Sequence, residues 1–252
     1  MQLTEKFLYH IWDAQHLTEE MSTISGQKLK VLFPGRWNTD SGPDFKDAII
    51  QIGKDVLRGD IEIELTTYNW KLHEHHENPG FNNVILQVVY KHDDQYQFNF
   101  NENGEKFEIL QIAEFLNQDI RKLAKKYSGN ERKTITKHCN LLSKMALEEF
   151  KTMLNDLGRE RFQKKIKRFA AEHYFVDFDQ LCYQGIFESL GYSKNKYQML
   201  QVAINISYKK LREFHQQGMT KDEMIAILLC STDLINHLPS SFPEEFKNKW
   251  LT

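Results

Sequence analysis

The sequence predicts an α+β protein in which an N-terminal helix and a small mixed sheet precede an all-helical C-terminal part. Three observations predict this class. Apolar and polar residues alternate through much of residues 28–110, as they do in half-buried strands. From residue 112 onward, apolar residues recur at a spacing of three to four, as they do in amphipathic helices. The sign of the net charge also changes close to residue 118.

The first part of the chain contains one helix followed by a series of strands. Residues 5–15 place Phe7, Leu8, Ile11 and Trp12 on one stripe of a helix. The glycine-containing segments 53–55 and 101–104 each separate two strand-like runs and therefore predict two hairpins. The strands are predicted over residues 28–33, 48–52, 56–65, 84–90, 96–100 and 106–110.

The second part of the chain reads as a series of helices. Ser143, Asp177 and Thr220 are polar residues near helix starts, where their side chains can accept hydrogen bonds from backbone N–H groups. The helices are predicted over residues 113–126, 144–157, 159–173, 179–190, 196–216 and 221–229.

The two parts carry opposite charges, which predicts two domains, residues 1–118 and 119–252. The first part has 10 lysines and arginines against 19 acidic residues, and the second has 23 against 16. Residues 121–168 hold 15 basic and 5 acidic residues, so they predict a surface for a polyanion such as nucleic acid. The alternative is that basic residues coat the solvent-exposed faces of helices. The candidate nucleic-acid ligands are Lys164, Lys165, Lys167 and Arg168.

Several classes of protein are disfavoured by features that the sequence lacks. No run approaches the roughly 18 apolar residues of a membrane span, and residues 1–20 are charged where a signal peptide is apolar, so we expect a cytoplasmic protein. The three cysteines, Cys139, Cys182 and Cys230, lack the spacing of a zinc ribbon or a disulfide framework. There is no glycine-rich phosphate loop and no Gly-x-Ser-x-Gly motif, which argues against P-loop enzymes and serine hydrolases.

Acidic residues are concentrated on the first predicted hairpin. Asp44 follows Gly42-Pro43 at the entry of its first strand. Asp60, Glu62 and Glu64 alternate with apolar residues, so they share one face of the second strand. Burying these carboxylates without a cation costs several kcal/mol each, so either this face is in water or a cation neutralises it.

Three histidines, His73, His75 and His76, follow this strand closely. Carboxylate sites of this kind suit Mg²⁺ or Mn²⁺, which hold phosphate oxygens and activate water for hydrolysis of phosphodiesters, and histidines supply metal ligands or protons. The alternative is an exposed acidic strand, with Asp44 as a turn cap and the histidines in a hydrated loop.

A set of short motifs extends across most of the chain. They are Pro34-Gly35-Arg36-Trp37-Asn38, Gly42-Pro43-Asp44-Phe45, Ala48-x-Ile50-x-Ile52-Gly53, Gly59-x-Ile61-Glu62-Ile63, Trp70-x-x-His73-x-His75, Asn83-Val84-Ile85-Leu86, Leu157-Gly158-Arg159-Glu160-Arg161-Phe162 and Leu190-Gly191-Tyr192-Ser193-Lys194-Asn195-Lys196. Together these motifs resemble an uncharacterised bacterial domain-of-unknown-function family, numbered 2851. The sequence departs from the family pattern at Glu64 and Gln87, where histidines are usual, and at Tyr68-Asn69-Trp70, where Ser-Asp-Trp is usual.

A second resemblance is to the PD-(D/E)xK nucleases. Pro43-Asp44, a hairpin, and Glu62-x-Glu64 on the next strand follow a helix that carries Glu5. The resemblance implies a restriction-endonuclease-like fold and divalent-metal ligation by Asp44 and Glu62. The lysine of those nucleases falls on Glu64 here, so Glu64 is either an additional metal ligand or a sign of a site that binds without cutting.

Three functional hypotheses follow. In the first, Asp44 and Glu62 hold Mg²⁺ or Mn²⁺ with Glu5 and Glu64 as secondary ligands, Asn38 orients the loop, His73 or His75 donates a proton, and the basic helices bind nucleic acid. In the second, the chain is an adaptor that binds nucleic acid or protein through a degraded nuclease site. In the third, Glu62, Glu64, His73 and His75 bind Zn²⁺ or Fe²⁺ in a hydrolase or metal-binding protein of another kind.

Overall fold

A computed structural model describes residues 3–93, 95, 97–127, 145–192 and 194–232 of the chain. Its contacts divide the chain into two compact units, residues 1–171 and 172–252. The domain boundary predicted near residue 118 falls inside the first unit, between its last strand and the helix that follows, and it stays a prediction. The class is α+β with an N-terminal helix, a mixed sheet and then helices, so the predicted class is confirmed.

Within the described residues, eight strands form one mixed sheet. Its order is β1, β2, β4, β5, β6, β8 and β7, and β3 also pairs with β4. Strands β5, β6 and β8 run parallel to one another, and the other pairs are antiparallel. The strands are β1 (Met21–Ser22), β2 (Lys28–Phe33), β3 (Arg36–Trp37), β4 (Phe45–Ile52), β5 (Asp55–Thr66), β6 (Val84–Lys91), β7 (Phe98–Phe100) and β8 (Lys106–Gln111).

Helix α1 (Glu5–Asp13) packs beside β5 and carries the predicted apolar stripe into the main core. Trp12 is fully buried and donates from its indole Nε1 to the carbonyl oxygen of Pro34 at 2.8 Å. Ile61 and Ile63 of β5 lie in the same core. Because strand side chains alternate, the acidic residues of β5 point to the opposite face of the sheet.

The connection from β5 to β6 contains helix α2 (Asn69–Leu72) and two short 3₁₀ turns, His75–Glu77 and Pro79–Phe81. Parallel strands need such a crossover because a tight turn cannot join them. Trp70 is the centre of its packing, since it is fully buried and contacts the rings of three neighbours. Those neighbours are His75, Phe81 and Phe107, with ring centroids 5.3, 5.9 and 4.9 Å from that of Trp70.

The remaining described helices begin after the sheet. Asp177 and Thr220 cap helices as predicted, and Thr220 forms a full capping box with Glu223. A 3₁₀ turn, Ile112–Phe115, precedes α3 (Ile120–Tyr127), α4 (Leu147–Glu172), α5 (Phe178–Leu190), α6 (Lys196–Asn205), α7 (Tyr208–Gln216) and α8 (Lys221–Cys230).

Three predicted helix boundaries are wrong. The predicted helix over 113–126 is a 3₁₀ turn followed by α3. The two helices predicted on either side of Gly158 are one helix, α4, because a single glycine costs a helix only about 1 kcal/mol. The single helix predicted over 196–216 is interrupted at Ile206, since the hydroxyl of Ser207 accepts from the backbone N–H of Lys210 and starts a new helix.

Some predicted features lie outside the described residues. These are Cys139, Ser143 and residues 128–144 of the predicted polyanion surface. Cys182 and Cys230 are exposed free thiols. Among the described helices, none combines the length and the apolar character needed to cross a membrane.

The close approach of β5 and β6 depends on the absence of a side chain at Gly59. A Cβ at this position would lie 2.6 Å from the carbonyl oxygen of Asn83 and would overlap Ile85, so Gly59→Ala forces strand backbone to move. We expect Gly59→Ala to lower the free energy of unfolding by about 2 kcal/mol. Gly158→Ala is the control, because a Cβ there meets nothing within 4 Å and alanine favours the helix by up to about 1 kcal/mol. Equal effects of the two substitutions in urea unfolding would contradict the prediction.

Candidate metal centre

The loop before β4 is held in place by Asn38. Its backbone N–H donates to the carbonyl oxygen of Asp44 at 2.7 Å. Its side-chain amide donates to the carbonyl oxygens of Asp40, Ser41 and Pro43 at 3.2, 3.2 and 3.0 Å. Asn38 therefore orders the segment that ends at Asp44, which is the role that the sequence suggests for it.

Asp44 and Glu62 are joined at the point where β4 begins beside β5. The backbone N–H of Asp44 donates to Glu62 Oε2 at 3.2 Å. The carboxylate of Asp44 in turn accepts from the backbone N–H of Ile63 at 2.9 Å. The hydroxyl of Tyr9, on α1, also donates to Asp44. The structure therefore brings together the two residues that the nuclease resemblance pairs.

Glu64 lies one strand period further along β5 and is almost completely buried. Its Oε1 is 3.1 Å from His73 Nδ1 and 3.7 Å from His75 Nε2. Its Oε2 accepts a hydrogen bond from the side-chain amide of Gln87 on β6. His75 Nε2 is also 3.2 Å from Glu62 Oε1, so the two glutamates share one histidine.

The two histidines approach from the crossover between β5 and β6. His73 is the residue after α2, and His75 begins the next 3₁₀ turn. Glu74 between them has a φ of 58°, in the left-handed region that non-glycine residues seldom adopt. The imidazole of His75 stacks on Phe81 with ring centroids 4.0 Å apart, which fixes the plane of the ring. This turn presents both rings to Glu64.

Asp60 shares the strand face but belongs to a different group of charges. Its carboxylate is 3.0 Å from Lys46 Nζ and accepts from the backbone N–H of Asp47 at 3.1 Å. Asp47 lies in a bulge of β4, where it pairs with Arg36 and Arg58 at 3.0 and 3.3 Å. Lys46 thus neutralises Asp60, and its positive charge also acts on Glu62, where it opposes the rise in pKa.

Glu5 lies in the first turn of α1 and is half-buried. It raises the pKa values of Asp44, Glu62 and Glu64 through its negative charge, which places it in the electrostatic neighbourhood of all three. No hydrogen bond to any of the three is described for it. Glu5 is therefore a secondary member of the group.

Burial raises the pKa values of the central carboxyl groups. Removal from water raises the pKa of Asp44 to about 7, that of Glu62 to about 8 and that of Glu64 to about 9. Repulsion from neighbouring carboxylates contributes to these raised pKa values of Asp44 and Glu64. Burial lowers the pKa of His75, which favours the neutral ring that a metal ion can bind.

The candidate nucleic-acid ligands lie together on α4. Lys164, Lys165 and Lys167 are exposed, and Arg168 is partly buried. Lys164 forms an ion pair with Glu160 at 3.2 Å, and the guanidinium of Arg168 lies 4.8 Å from the ring centroid of Phe169. The exposed lysines are available to a polyanion. Their binding role stays a prediction.

Glu64, His73 and His75 can together hold a metal ion, because one ligand atom from each lies within 4.8 Å of the others. Sequence reasoning includes these three residues but misses Gln87 and Tyr9, which hold the carboxylates in place. The signal for Gln87 is available, since it is the one polar side chain within the apolar run from Val84 to Tyr90.

Comparison with known proteins supports one of the two resemblances. A family model described as a protein of unknown function, DUF2851, matches residues 5–251. The chain belongs to the DUF2851 family. No curated protein and no solved structure matches this DUF2851 protein. Its likeness to PD-(D/E)xK nucleases stays a prediction.

The raised pKa values predict a loss of stability of the metal-free protein as the pH rises from 7 to 9. In this range the unfolded chain has ionised all three carboxyl groups, while the fold still retains protons on Glu62 and Glu64. Each retained proton lowers the free energy of unfolding by at most about 1.4 kcal/mol per pH unit. The lowered pKa of His75 acts in the opposite direction, but mostly below pH 7, where an unfolded histidine still takes up a proton.

The measurement is urea unfolding in EDTA at pH 7, 8 and 9. Glu62→Gln keeps the shape of the side chain and removes one titrating group, so we expect a smaller slope for this variant. Stability that is constant or rises with pH in the wild-type protein would contradict the assignment of protonated carboxyl groups.

Proposed function

We propose that this DUF2851 protein is a metal-dependent hydrolase of phosphodiesters in nucleic acids. The observation that carries the proposal is the convergence of Asp44, Glu62 and Glu64 in one buried group at neighbouring strands. The backbone N–H of Asp44 contacts Glu62, and His75 contacts both glutamates. Three carboxylates held out of water are unfavourable unless a cation or protons neutralise them.

Asp44 and Glu62 suit Mg²⁺ or Mn²⁺, because these ions prefer carboxylate oxygens. The ion, when bound, polarises the phosphoryl group and lowers the pKa of a bound water. The fit rests on the donor set, since hydrogen bonds between β4 and β5 already hold both carboxylates in place.

Hydrolysis would form a bond between phosphorus and the water oxygen and break the bond to the leaving oxygen. The water loses one proton and the leaving oxygen gains one. Asp44 would contribute to this step as an anionic ligand of the ion, beside Glu62. A role for His73 or His75 as the proton donor stays a prediction from residue type.

The exposed lysines of α4 support nucleic acid as the substrate. Lys164, Lys165 and Lys167 fall within four positions of one helix of the unit that contains the carboxylates. A polyanion that contacts them would release condensed counterions, which favours binding at low salt. A protein that kept this surface but lacked catalysis would be the adaptor of the second hypothesis.

Substitution of Asp44 tests catalysis. We expect Asp44→Asn to lower cleavage of DNA or RNA in Mg²⁺ or Mn²⁺ by about 100-fold or more, because it removes one of the two charged ligands of the ion. Asp40→Asn in the same loop is the matched control, since Asp40 is exposed and its carboxylate has no described contact with the cluster. The assay is a time course on single-stranded and duplex substrates with EDTA controls. Cleavage that persists unchanged in Asp44→Asn would refute the assignment.

Charge reversal on α4 tests binding. Replacing Lys164, Lys165 and Lys167 by glutamate should weaken duplex binding at every sequence and reduce the slope of log affinity against log salt by up to about three. The matched control reverses three exposed lysines of the second unit, Lys209, Lys210 and Lys221, for the same change of charge. Equal losses in the two triple variants would show a general charge effect. If the wild-type protein binds but does not cut, the adaptor hypothesis replaces the hydrolase.

A further inference from the structure

The side chains around Glu64 differ in chemistry from those around Asp44. Asp44 and Glu62 offer oxygen atoms alone, whereas Glu64 faces two imidazole nitrogens, from His73 and His75. Oxygen ligands suit Mg²⁺, while imidazole suits Zn²⁺ and other transition metals. One buried group therefore contains two donor sets with different metal preferences.

The spacing of the nitrogen-containing set fits a tetrahedral ion. Zinc binds nitrogen and carboxylate oxygen at roughly 2.0–2.2 Å, so neighbouring ligand atoms lie roughly 3.3–3.6 Å apart. Glu64 Oε1 is 3.1 Å from His73 Nδ1 and 3.7 Å from His75 Nε2, on either side of that range. Glu62 Oε1, at 3.2 Å from His75 Nε2, is placed as a further ligand. The ligand nitrogens of His73 and His75 lie within 4.8 Å of each other, so an ion between them would draw the two rings closer together.

An independent observation comes from the surroundings of Glu64. The fully buried amide of Gln87 donates to Glu64 Oε2, and the amide of Asn99 on β7 donates to Gln87 Oε1 at 2.7 Å. Oε2 is thereby occupied, and Oε1 is directed at the histidines. Hydrogen bonds of this kind, which fix a ligating carboxylate, are typical of metal sites.

Glu62 connects the two donor sets. Its Oε2 accepts from the backbone N–H of Asp44, and its Oε1 lies beside His75. We propose that Glu64, His73 and His75 bind a transition metal ion of the Zn²⁺ class beside the Asp44–Glu62 pair, with Glu62 shared between the two positions. The inference deepens the proposed function by naming a second cation, and it rests on the metal-binding part of that function but not on its substrate.

This assignment gives the histidines a role other than proton donation. His75 is held in the plane required of a ligand by its stack on Phe81. His73 is partly exposed, with 43% of its side chain accessible, so an ion can enter from that side. Gln87 acts as a positioning residue, because its side-chain amide donates to Glu64 and is not itself a metal ligand.

The test is metal binding by the full chain. We titrate Co²⁺ while following its visible absorption, and we measure Zn²⁺ affinity by competition with a chelator in a large excess of Mg²⁺. The wild-type protein should give the intense bands of cobalt with nitrogen ligands at low coordination number. Zn²⁺ should displace Co²⁺, and Mg²⁺ should not.

His73→Gln should lower Zn²⁺ affinity by about 100-fold or more and abolish these bands, and Gln87→Met should lower the affinity by about 10–100-fold. His76→Gln is the matched control, because it removes a histidine of the same segment that pairs with Glu77 at 3.4 Å instead of Glu64. Thermal unfolding of each variant shows that it folds. If Gln87→Met does not fold, His73→Gln still decides the test, because the side chain of His73 is partly exposed.

Two outcomes would overturn the inference: equal Zn²⁺ affinities in His73→Gln and His76→Gln, or bands in the wild type that match those of hydrated cobalt. Failure of the hydrolase proposal looks different. Zinc binding as expected without cleavage of any phosphodiester would leave the metal site standing and refute the hydrolase. Cleavage in Mg²⁺ that persists in His73→Gln, with no zinc affinity in the wild type, would leave the hydrolase standing and refute the zinc site.

Discussion

The burial of acidic side chains on β5 is the constraint on which the rest of this structure depends. The strand is central in the sheet, and Asp60, Glu62 and Glu64 are each less than 10% exposed. Carboxylates in such a position cost several kcal/mol each unless partners compensate. Every neighbouring element supplies a compensating group. Lys46 of β4 pairs with Asp60, and Gln87 of β6 donates to Glu64.

The crossover between β5 and β6 also supplies groups that contact the buried carboxylates. It covers the acidic face with Trp70 and its aromatic neighbours and turns sharply at Glu74 to bring His73 and His75 to the glutamates. The parallel pairing of β5 with β6 requires a connection longer than a tight turn, and the two histidines lie on that connection. The strained residue lies between the two histidines, as is common where a backbone is shaped by a functional site.

Several residues of the DUF2851 pattern have a physical role in this framework. Gly59 permits close approach of β5 to the segment before β6, and Asn38 holds the loop that ends at Asp44. Gly35 has a φ of 94°, and a Cβ there would lie 2.9 Å from the carbonyl oxygen of Lys46. Gln87 lies on β6, and its side-chain amide donates to Glu64. These residues shape the site more than they contribute chemistry.

The sequence by itself determined the local features of this protein. The longer strands, both hairpins and the caps at Asp177 and Thr220 follow from short-range rules, and so does the shared face of Asp60, Glu62 and Glu64. The two-residue strands β1 and β3 did not follow from these rules. The sequence did not predict that α4 continues through Gly158 or that a new helix starts after Ser207. The helix propensity of one residue has a smaller effect than its tertiary surroundings.

Only the tertiary structure decided the composition of the candidate site. The alternation on β5 places Asp60 on the same face as the glutamates. The bulge of β4, however, brings Lys46 beside Asp60, and the two form an ion pair. The parallel pairing of β5 with β6 places Gln87 against Glu64, 23 positions away in the chain. Pairing between distant strands depends on packing of the whole sheet and not on any local pattern. The sequence therefore identifies the candidate ligands, and the fold determines which of them lie together.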